Sequence, residues 1–328
     1  MEQIRILTTG GAEASKVITN DMLSETLDTS DEWIFPRTGI HERRVCAEGE
    51  TTVTLATAAA DDALKKAAAK YGIQKEDIGC VIVATMSGDY ATPSTACMIQ
   101  QALGLPEQIP VFDVNAACSG FIYALTVARC LLAANGSRYG LIVGAEQLSK
   151  LLDWNDRSTC ILFGDGAGAV VVEKVPEDQG VFGSFLAARG GKQILAEGPG
   201  KIPSNAQMDG KAVFRFAVEV IPKAGAAALK DAGIGIEDVD YIICHQANSR
   251  IIDHFVRHEK LDPAKVFKNI DHMGNTSAAS IPVALHEMDE KNMLKDGQTL
   301  LLIGFGGGLT YGGVVLTFGR RSADEKAE

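Results

Sequence analysis

The chain has 328 residues, of which 46% are hydrophobic and 22% charged, with a formal net charge of −11. That length allows two domains and a large buried core, and the apolar and charged fractions are those of a globular protein. The acidic balance argues against nucleic acid as a partner, because phosphate binding calls for a basic surface.

In chain order, the segment up to Leu55 carries short helix and loop signals, among them a cap at Thr29-Ser30-Asp31 before Glu32-Trp33. The N-terminus lacks a basic stretch followed by an apolar one, so no secretory signal is expected. No apolar run is expected to reach the roughly 18 residues of a transmembrane helix. A cytoplasmic protein without a membrane partner is the expectation. From Ala63 the sequence reads ALKKAAAKYGIQKEDIGCVIVAT: an Ala-rich helix, a Gly turn, an acidic pair and an apolar strand. A strand at Val111–Val114 then leads through Asn115-Ala116-Ala117 to Cys118 and an apolar helix. Strands at Leu141–Val143 and Val170–Val172 follow, and a polar break with a proline comes at Lys174-Val175-Pro176-Glu177-Asp178. Residues 178–222 read as a Gly- and Pro-containing insertion that ends in a helix from about Ala212. Beyond it lie ALKDAGIGIEDVDYIICHQA from Ala228, the turn His272–Ser277, a helix to Met288, strands near Leu301 and Tyr311, and a charged tail from Arg320 expected to fray.

The second half repeats the first. Glu76 matches Glu237, and Ala124-Leu125 faces Ala284-Leu285 at nearly the same offset. LIVGAEQLS from Leu141 matches LLIGFGGGLT from Leu301 in pattern, and GAGAVVVE matches YGGVVLTFG. The strands are continuous apolar runs, which indicates sheets covered on both faces by helices. The expected fold is α/β: two pseudo-symmetric halves, residues 1–174 and 175–328, stacked as a five-layer α/β/α/β/α sandwich.

Seven cysteines stand singly at 46, 80, 97, 118, 130, 160 and 244, without a CxxC pair, which points to reduced thiols. Most are expected to pack as small hydrophobes. Cys118 differs in opening a helix, where exposed N–H groups favour a thiolate; a packing cysteine is the alternative. His245 ends a strand, where open α/β sheets place ligands; a core histidine is the alternative. Cys244 before it should point to the opposite face. Asn275 occupies in the second half the turn that carries Cys118 in the first, and a helix cap is its alternative. The runs Gly164–Gly168 and Gly304–Gly308 are followed by strands, not helices, which weakens a dinucleotide reading. Their free N–H groups can still face an oxyanion. No Cys, His, Asp or Glu cluster has metal-ligand spacing.

These segments resemble one family. TSDEWI with RTGI and ER (Thr29 to Arg43), NAACSGF (Asn115 to Phe121), DRSTCILFGDGAGAVV (Asp156 to Val171), HQAN with RII (His245 to Ile252), GNTSAASIP (Gly274 to Pro282) and FGGGLTYG (Phe305 to Gly312) are similar to β-ketoacyl-[acyl-carrier-protein] synthase III of the thiolase superfamily. The likeness runs over nearly the whole chain. It implies decarboxylating condensation of an acyl-CoA with malonyl-[acyl-carrier protein], initiating fatty-acid synthesis, with no cofactor because the CoA thioester is a substrate.

The resemblance also implies roles. Cys118 would carry the acyl group, and His245 and Asn275 would donate hydrogen bonds during condensation. The N–H groups of Cys118 and Gly307 would form the oxyanion hole. Trp33 and Arg157 would hold the adenine of CoA, with Thr29 and Arg37 nearby. Arg215, Arg250 and Arg257 would dock the acidic carrier protein, and a homodimer is implied. Thr92 stands where many short-chain members have phenylalanine, a side chain that closes the partner's acyl pocket, so a deeper pocket and longer or branched primers are expected. A related synthase of a specialised pathway, a dinucleotide oxidoreductase and a non-catalytic partner subunit are the alternatives.

Overall fold

The computed structural model describes residues 2–195 and 206–320. The tail beyond Arg320, and part of the expected insertion, lie outside the described residues. The main elements are β1 (Gln3–Glu13), α1 (Asp31–Thr38), α2 (Thr52–Tyr71), β2 (Ile78–Ala84), α3 (Thr95–Leu103), β3 (Val111–Val114), α4 (Gly120–Asn135), β4 (Tyr139–Glu146) and β5 (Gly166–Val175). Then follow β6 (Phe182–Ala188), α5 (Gly210–Ala232), β7 (Tyr241–Cys244), α6 (Ser249–Glu259), α7 (Ser280–Glu290), β8 (Thr299–Gly306) and β9 (Thr310–Phe318).

Local chemistry sets the ends of these helices. Thr51 and Thr54 form a reciprocal cap at the start of α2, and Gly72 stops it in the left-handed conformation at φ 69°. In the second half Asp209 caps α5 and Gly233 stops it at φ 71°. Along α2, Leu55, Ala56, Ala59, Ala60, Ala63 and Ala67 are buried, a helical stripe of small residues that lets the helix lie close on the strands.

Strand order repeats as the sequence does. The first half runs β3-β2-β4-β5-β1, and the second runs β7-β8-β9-β6. Val266 bridges Ile242 of β7, at the position β3 holds in the first half. β1 and β9 touch in parallel at Arg5–Thr317 and Ile6–Phe318, which joins the two sheets at one seam. α4 and α7 lie between the sheets: Phe121, Ile122 and Leu125 share a buried cluster with Ile82 and Ile142 of one sheet and Leu300 and Leu302 of the other. α2 and α3 cover the outer face of the first sheet, and α5 and α6 that of the second. Five layers result. Burying one such leucine or isoleucine contributes about 1.5–3 kcal/mol, and these layers bury dozens of apolar side chains.

Two expectations need correction. Phe182–Ala188 is not plain insertion but the strand β6, which pairs antiparallel with β9 as β1 pairs with β5. Its side chains are mostly half-buried, so the apolar run that marks the other strands is missing. The helical segment Ala117–Asn135 is long and apolar enough to cross a membrane by length and composition. Its apolarity has another cause, since it packs between two sheets and both its faces need apolar side chains.

The halves also interlock through glycine. A Cβ on Gly144 of β4 would stand 2.4 Å from the Ala278 carbonyl oxygen, and one on Gly304 of β8 would stand 3.0 Å from Ser119 Cα. Each sheet thus presses against the turn carried by the other half.

Candidate active site

Cys118 sits in the single 3-10 turn Ala117–Ser119 that leads into α4. Ala117 takes φ 45° there, and Cys118 is 8% exposed. The end of β8 closes over it: a Cβ on Gly306 would lie 2.6 Å from Cys118 Cβ and 3.0 Å from Sγ, so the approach needs glycine. The N–H groups of Gly307 and of Cys118 itself reach the sulfur. Burial nevertheless pushes the thiol up to about 11, with the nearby Glu146 carboxyl adding to the rise. The helix start alone leads one to expect a thiolate. In the folded chain desolvation outweighs it.

His245 follows β7 directly, and its backbone N–H donates to the Ile303 carbonyl at 2.8 Å. The ring is buried, with Nδ1 2.7 Å from Ser280 Oγ and the Phe305 ring edge-on at 5.2 Å. Ser280 Oγ also accepts from the Gln246 N–H at 3.3 Å. With the Ser280 hydroxyl assigned as donor to Nδ1, the ring proton lies on Nε2. Burial lowers the imidazole to about 3, so it is neutral at physiological pH. Cys244 packs in the outer core on the opposite side, as strand alternation requires, and burial raises its thiol to about 12.

Asn275 is held from both sides. Its N–H donates to the Leu162 carbonyl at 2.9 Å, and its carbonyl accepts from the Gly164 N–H at 3.0 Å. Its side-chain Oδ1 accepts from the Ser277 N–H at 2.9 Å, which turns the amide Nδ2 outward as a donor. Cys118, His245 and Asn275 line one cavity together with Met86, Ala117, Ser277, Phe305 and Gly306. Its walls are apolar, formed by Leu148, Leu151, Leu152, Val213, Phe214 and Ile251 among others. A thiol, a neutral imidazole and an amide donor in an apolar pocket can hold a thioester and stabilise negative charge on a carbonyl oxygen.

The other expected residues divide into groups. The Arg37 and Arg157 guanidiniums lie over the Trp33 ring at 4.6 and 4.9 Å. Arg37 also donates to the Trp33 carbonyl, and Arg157 pairs with Asp28. A flat base inserted between Trp33 and Arg157 needs about 7 Å, two contact distances, so Arg157 must swing away to admit one. Thr29 Oγ1 is buried nearby without a hydrogen bond. Ser158, next to Arg157, stands on the cavity wall. Arg215 and Arg250 line a shallow depression beside the cavity with Lys211 and Phe214. Arg257 is exposed on the same helix as Arg250 but does not line that depression. Thr92 is exposed before α3 and does not line this chain's own cavity.

Sequence reasoning missed Phe305, Ser280, Ser277, Lys211 and the buried Glu146. The available signal was the repeat: Ser277 and Ser280 take the places that Ala117 and Gly120 hold in the first half, hydroxyls replacing small apolar residues in the same turn.

Comparison with known proteins agrees with this geometry. Residues 112–190 match the family model described as 3-oxoacyl-[acyl-carrier-protein] synthase III, and residues 229–318 match that of its C-terminal part. The β-ketoacyl-[acyl-carrier-protein] synthase III of Clostridium tetani is 43% identical over 94% of this chain and 97% of its own. The crystal structure of the synthase III from Aquifex aeolicus superposes with a TM-score of 0.89 at 41% identity, covering 96% of this chain and all of the other. A priming β-ketosynthase from a polyketide pathway superposes at 0.88 with 34% identity, over 97% and 96% of the two chains. With a cysteine, a histidine and an asparagine meeting between two related halves, and relatives this similar over nearly their whole length, the chain belongs to the β-ketoacyl-[acyl-carrier-protein] synthase III family, the acyltransferases that perform the initiating condensation of fatty-acid synthesis.

Proposed function

We propose that Cys118 takes the acyl group of an acyl-CoA as a thioester and that His245 and Asn275 then direct the condensation with malonyl-[acyl-carrier protein]. The observation that carries this reading is the convergence of the three side chains in one apolar cavity. After loading, the malonyl group loses CO₂, and its enolate attacks the Cys118 thioester. Decarboxylation generates the carbanion, so a neutral histidine suffices. Nε2–H of His245 and Nδ2 of Asn275 donate to the malonyl thioester oxygen as it gains charge. The N–H groups of Cys118 and Gly307 serve the oxygen of the acyl group on the sulfur.

Trp33 and Arg157 are proposed to take the adenine of CoA once Arg157 moves, with Thr29 and Arg37 at the margin. Arg215 and Arg250, joined by Lys211, are proposed to meet the acidic carrier, with Arg257 further along the same helix. β3 is a sheet edge whose Val111, Phe112 and Val114 are only half-buried, which supports a homodimer paired along that edge. In such a dimer the exposed Thr92 would reach the partner's cavity. Residues 1–174 and 175–328 are proposed as the two duplicated units.

The test is the mass of the intact protein after incubation with acetyl-CoA. The native chain should gain one acetyl group, lost on treatment with hydroxylamine, and Cys118→Ser should gain none. Acetylation that persists in the serine variant would refute the assignment.

A further inference from the structure

Which nitrogen of His245 carries the proton decides what the ring can do. With the proton on Nε2 the ring donates to a thioester oxygen; with the proton on Nδ1 it turns a lone pair toward that oxygen and repels it. Among the described residues the ring has one hydrogen-bond partner, Ser280 Oγ, at 2.7 Å from Nδ1. Nε2 has none, and the ring lines the cavity.

Ser280 opens α7 and is 2% exposed. Its hydroxyl does not serve its own helix, because the start of α7 has no side-chain cap. The backbone does not require it either. Gly120 opens α4 at φ −54° and ψ −40° with no side chain, and Ser280 opens α7 at φ −62° and ψ −40°. A hydroxyl in so deep a place calls for another reason, and its two partners supply one. They are Nδ1 of His245 and the Gln246 N–H, which donates to Ser280 Oγ at 3.3 Å. A backbone N–H can only donate. If Nδ1 donated as well, the serine's own proton would be buried with no acceptor among the described residues, at the cost of a lost hydrogen bond. When Ser280 donates to Nδ1, every proton of the group has a partner or belongs to the cavity.

The Gln246 N–H is itself held in place. The side-chain Nε2 of Gln246 donates to the Cys244 carbonyl at 2.8 Å and the Phe267 carbonyl at 3.3 Å. Its Oε1 accepts from the Asn269 N–H at 3.2 Å, and Asn269 Nδ2 donates to Glu287 Oε2 at 2.8 Å. Glu287 lies on α7, the helix that Ser280 opens. A closed circuit of hydrogen bonds thus ties the end of β7 to the helix that carries the serine, with His245 inside it.

We propose that Ser280 is a positioning residue for condensation, its hydroxyl keeping the His245 proton on Nε2 and the ring aimed into the cavity. This rests on His245 acting as a donor to the malonyl thioester. Ser280 does not touch the substrate and acts only through the histidine. Acyl loading, which uses Cys118 and the N–H groups around it, does not call on this pair.

The experiment records proton–nitrogen correlation spectra of the full-length protein, isotope-labelled in its six histidines, at neutral pH and without substrate. The His245 signals are those that vanish in His245→Ala. The native spectrum should show His245 protonated on Nε2, with Nδ1 accepting a hydrogen bond. Ser280→Ala should lose the accepting signature at Nδ1, release CO₂ from malonyl-carrier about 10-fold more slowly or worse, and load acyl groups within about twofold of native. Ser280→Gly, which copies Gly120, should behave in the same way. A native His245 protonated on Nδ1 overturns the proposal, and that result needs no variant to fold. Decarboxylation at the native rate in either folded variant overturns it too. A native chain that takes no acyl group on Cys118 overturns the underlying reading and the role of Ser280 with it. Intact mass of the native sample tells that case apart, because the spectra are recorded without substrate.

Discussion

Two turns of this molecule share a backbone and differ in chemistry. Asn115 to Gly120 and Asn275 to Ser280 occupy matching places in the two halves, each a 3-10 turn leading into a central helix. In each, the asparagine Oδ1 accepts the N–H two positions on, at 3.2 Å from Ala117 and 2.9 Å from Ser277. Each has its third residue in the left-handed region, and each rests on a glycine of the opposite sheet. The first turn carries the thiol and otherwise small residues. The second carries alanine in the thiol's place and hydroxyls at Thr276, Ser277 and Ser280. The same scaffold therefore occurs twice, and in the proposed reaction its side chains divide the work: one turn would hold the acyl group and the other supply hydrogen bonds. Burial marks the same division. Asn115 is exposed, whereas Asn275 is 6% exposed and fixed by the segment Leu162–Gly164.

The sharpest way to break this comparison is to mutate the matching asparagines. Asn275→Ala should lower condensation by about 10²–10³-fold, the usual effect of removing one donor to a developing oxyanion. Asn115→Ala should cost only about 1 kcal/mol of stability, a lost turn bond, and leave condensation near normal. Steady-state condensation rates and urea denaturation would measure both. Equal loss of activity in the two variants would mean that the asparagines act through the scaffold alone.

A second contrast lies between the two arginine sites outside the cavity. Arg157→Ala should raise KM for acyl-CoA and leave that for the malonyl-carrier unchanged, while Arg250→Glu should do the reverse. Each change should be worth about 1–2 kcal/mol, and the Arg250 effect should shrink as salt rises. Damage to both substrates by either variant would dissolve the distinction. The smallest expected effect concerns Thr92. Thr92→Phe should reduce kcat/KM for longer or branched acyl-CoA and spare acetyl-CoA, at about 0.8 kcal/mol for each methylene excluded. A native enzyme restricted to acetyl-CoA would show that another side chain fills the space.

Most of the fold was legible because its strands are buried on both faces and read as unbroken apolar runs, and because the repeat gave the order twice. β6 was not, since its side chains are mostly half-buried and it lies in a stretch that reads as insertion. That Cys118, His245 and Asn275 would meet in one place was legible from a helix start, a strand end and a repeated turn. Glu146 was not, because a glutamate at the end of a strand reads as a surface residue, and nothing local says that the partner half will cover it. Ser277 likewise reads as the start of a helix. The state of the Cys118 thiol could not be read either: the helix N-terminus is local, but the burial that outweighs it is tertiary, and the end of β8 that packs on the cysteine lies in the other half of the chain.

The division of work between the turns is tested most directly by separating the two half-reactions in His245→Ala. Acyl loading would be followed by intact mass, and decarboxylation by CO₂ released from labelled malonyl-carrier. The expected result is loading close to native with decarboxylation reduced by at least about 100-fold, because in the proposed reaction the histidine donates to the malonyl thioester only after loading. Decarboxylation at the native rate, or loss of loading in step with it, would contradict the account.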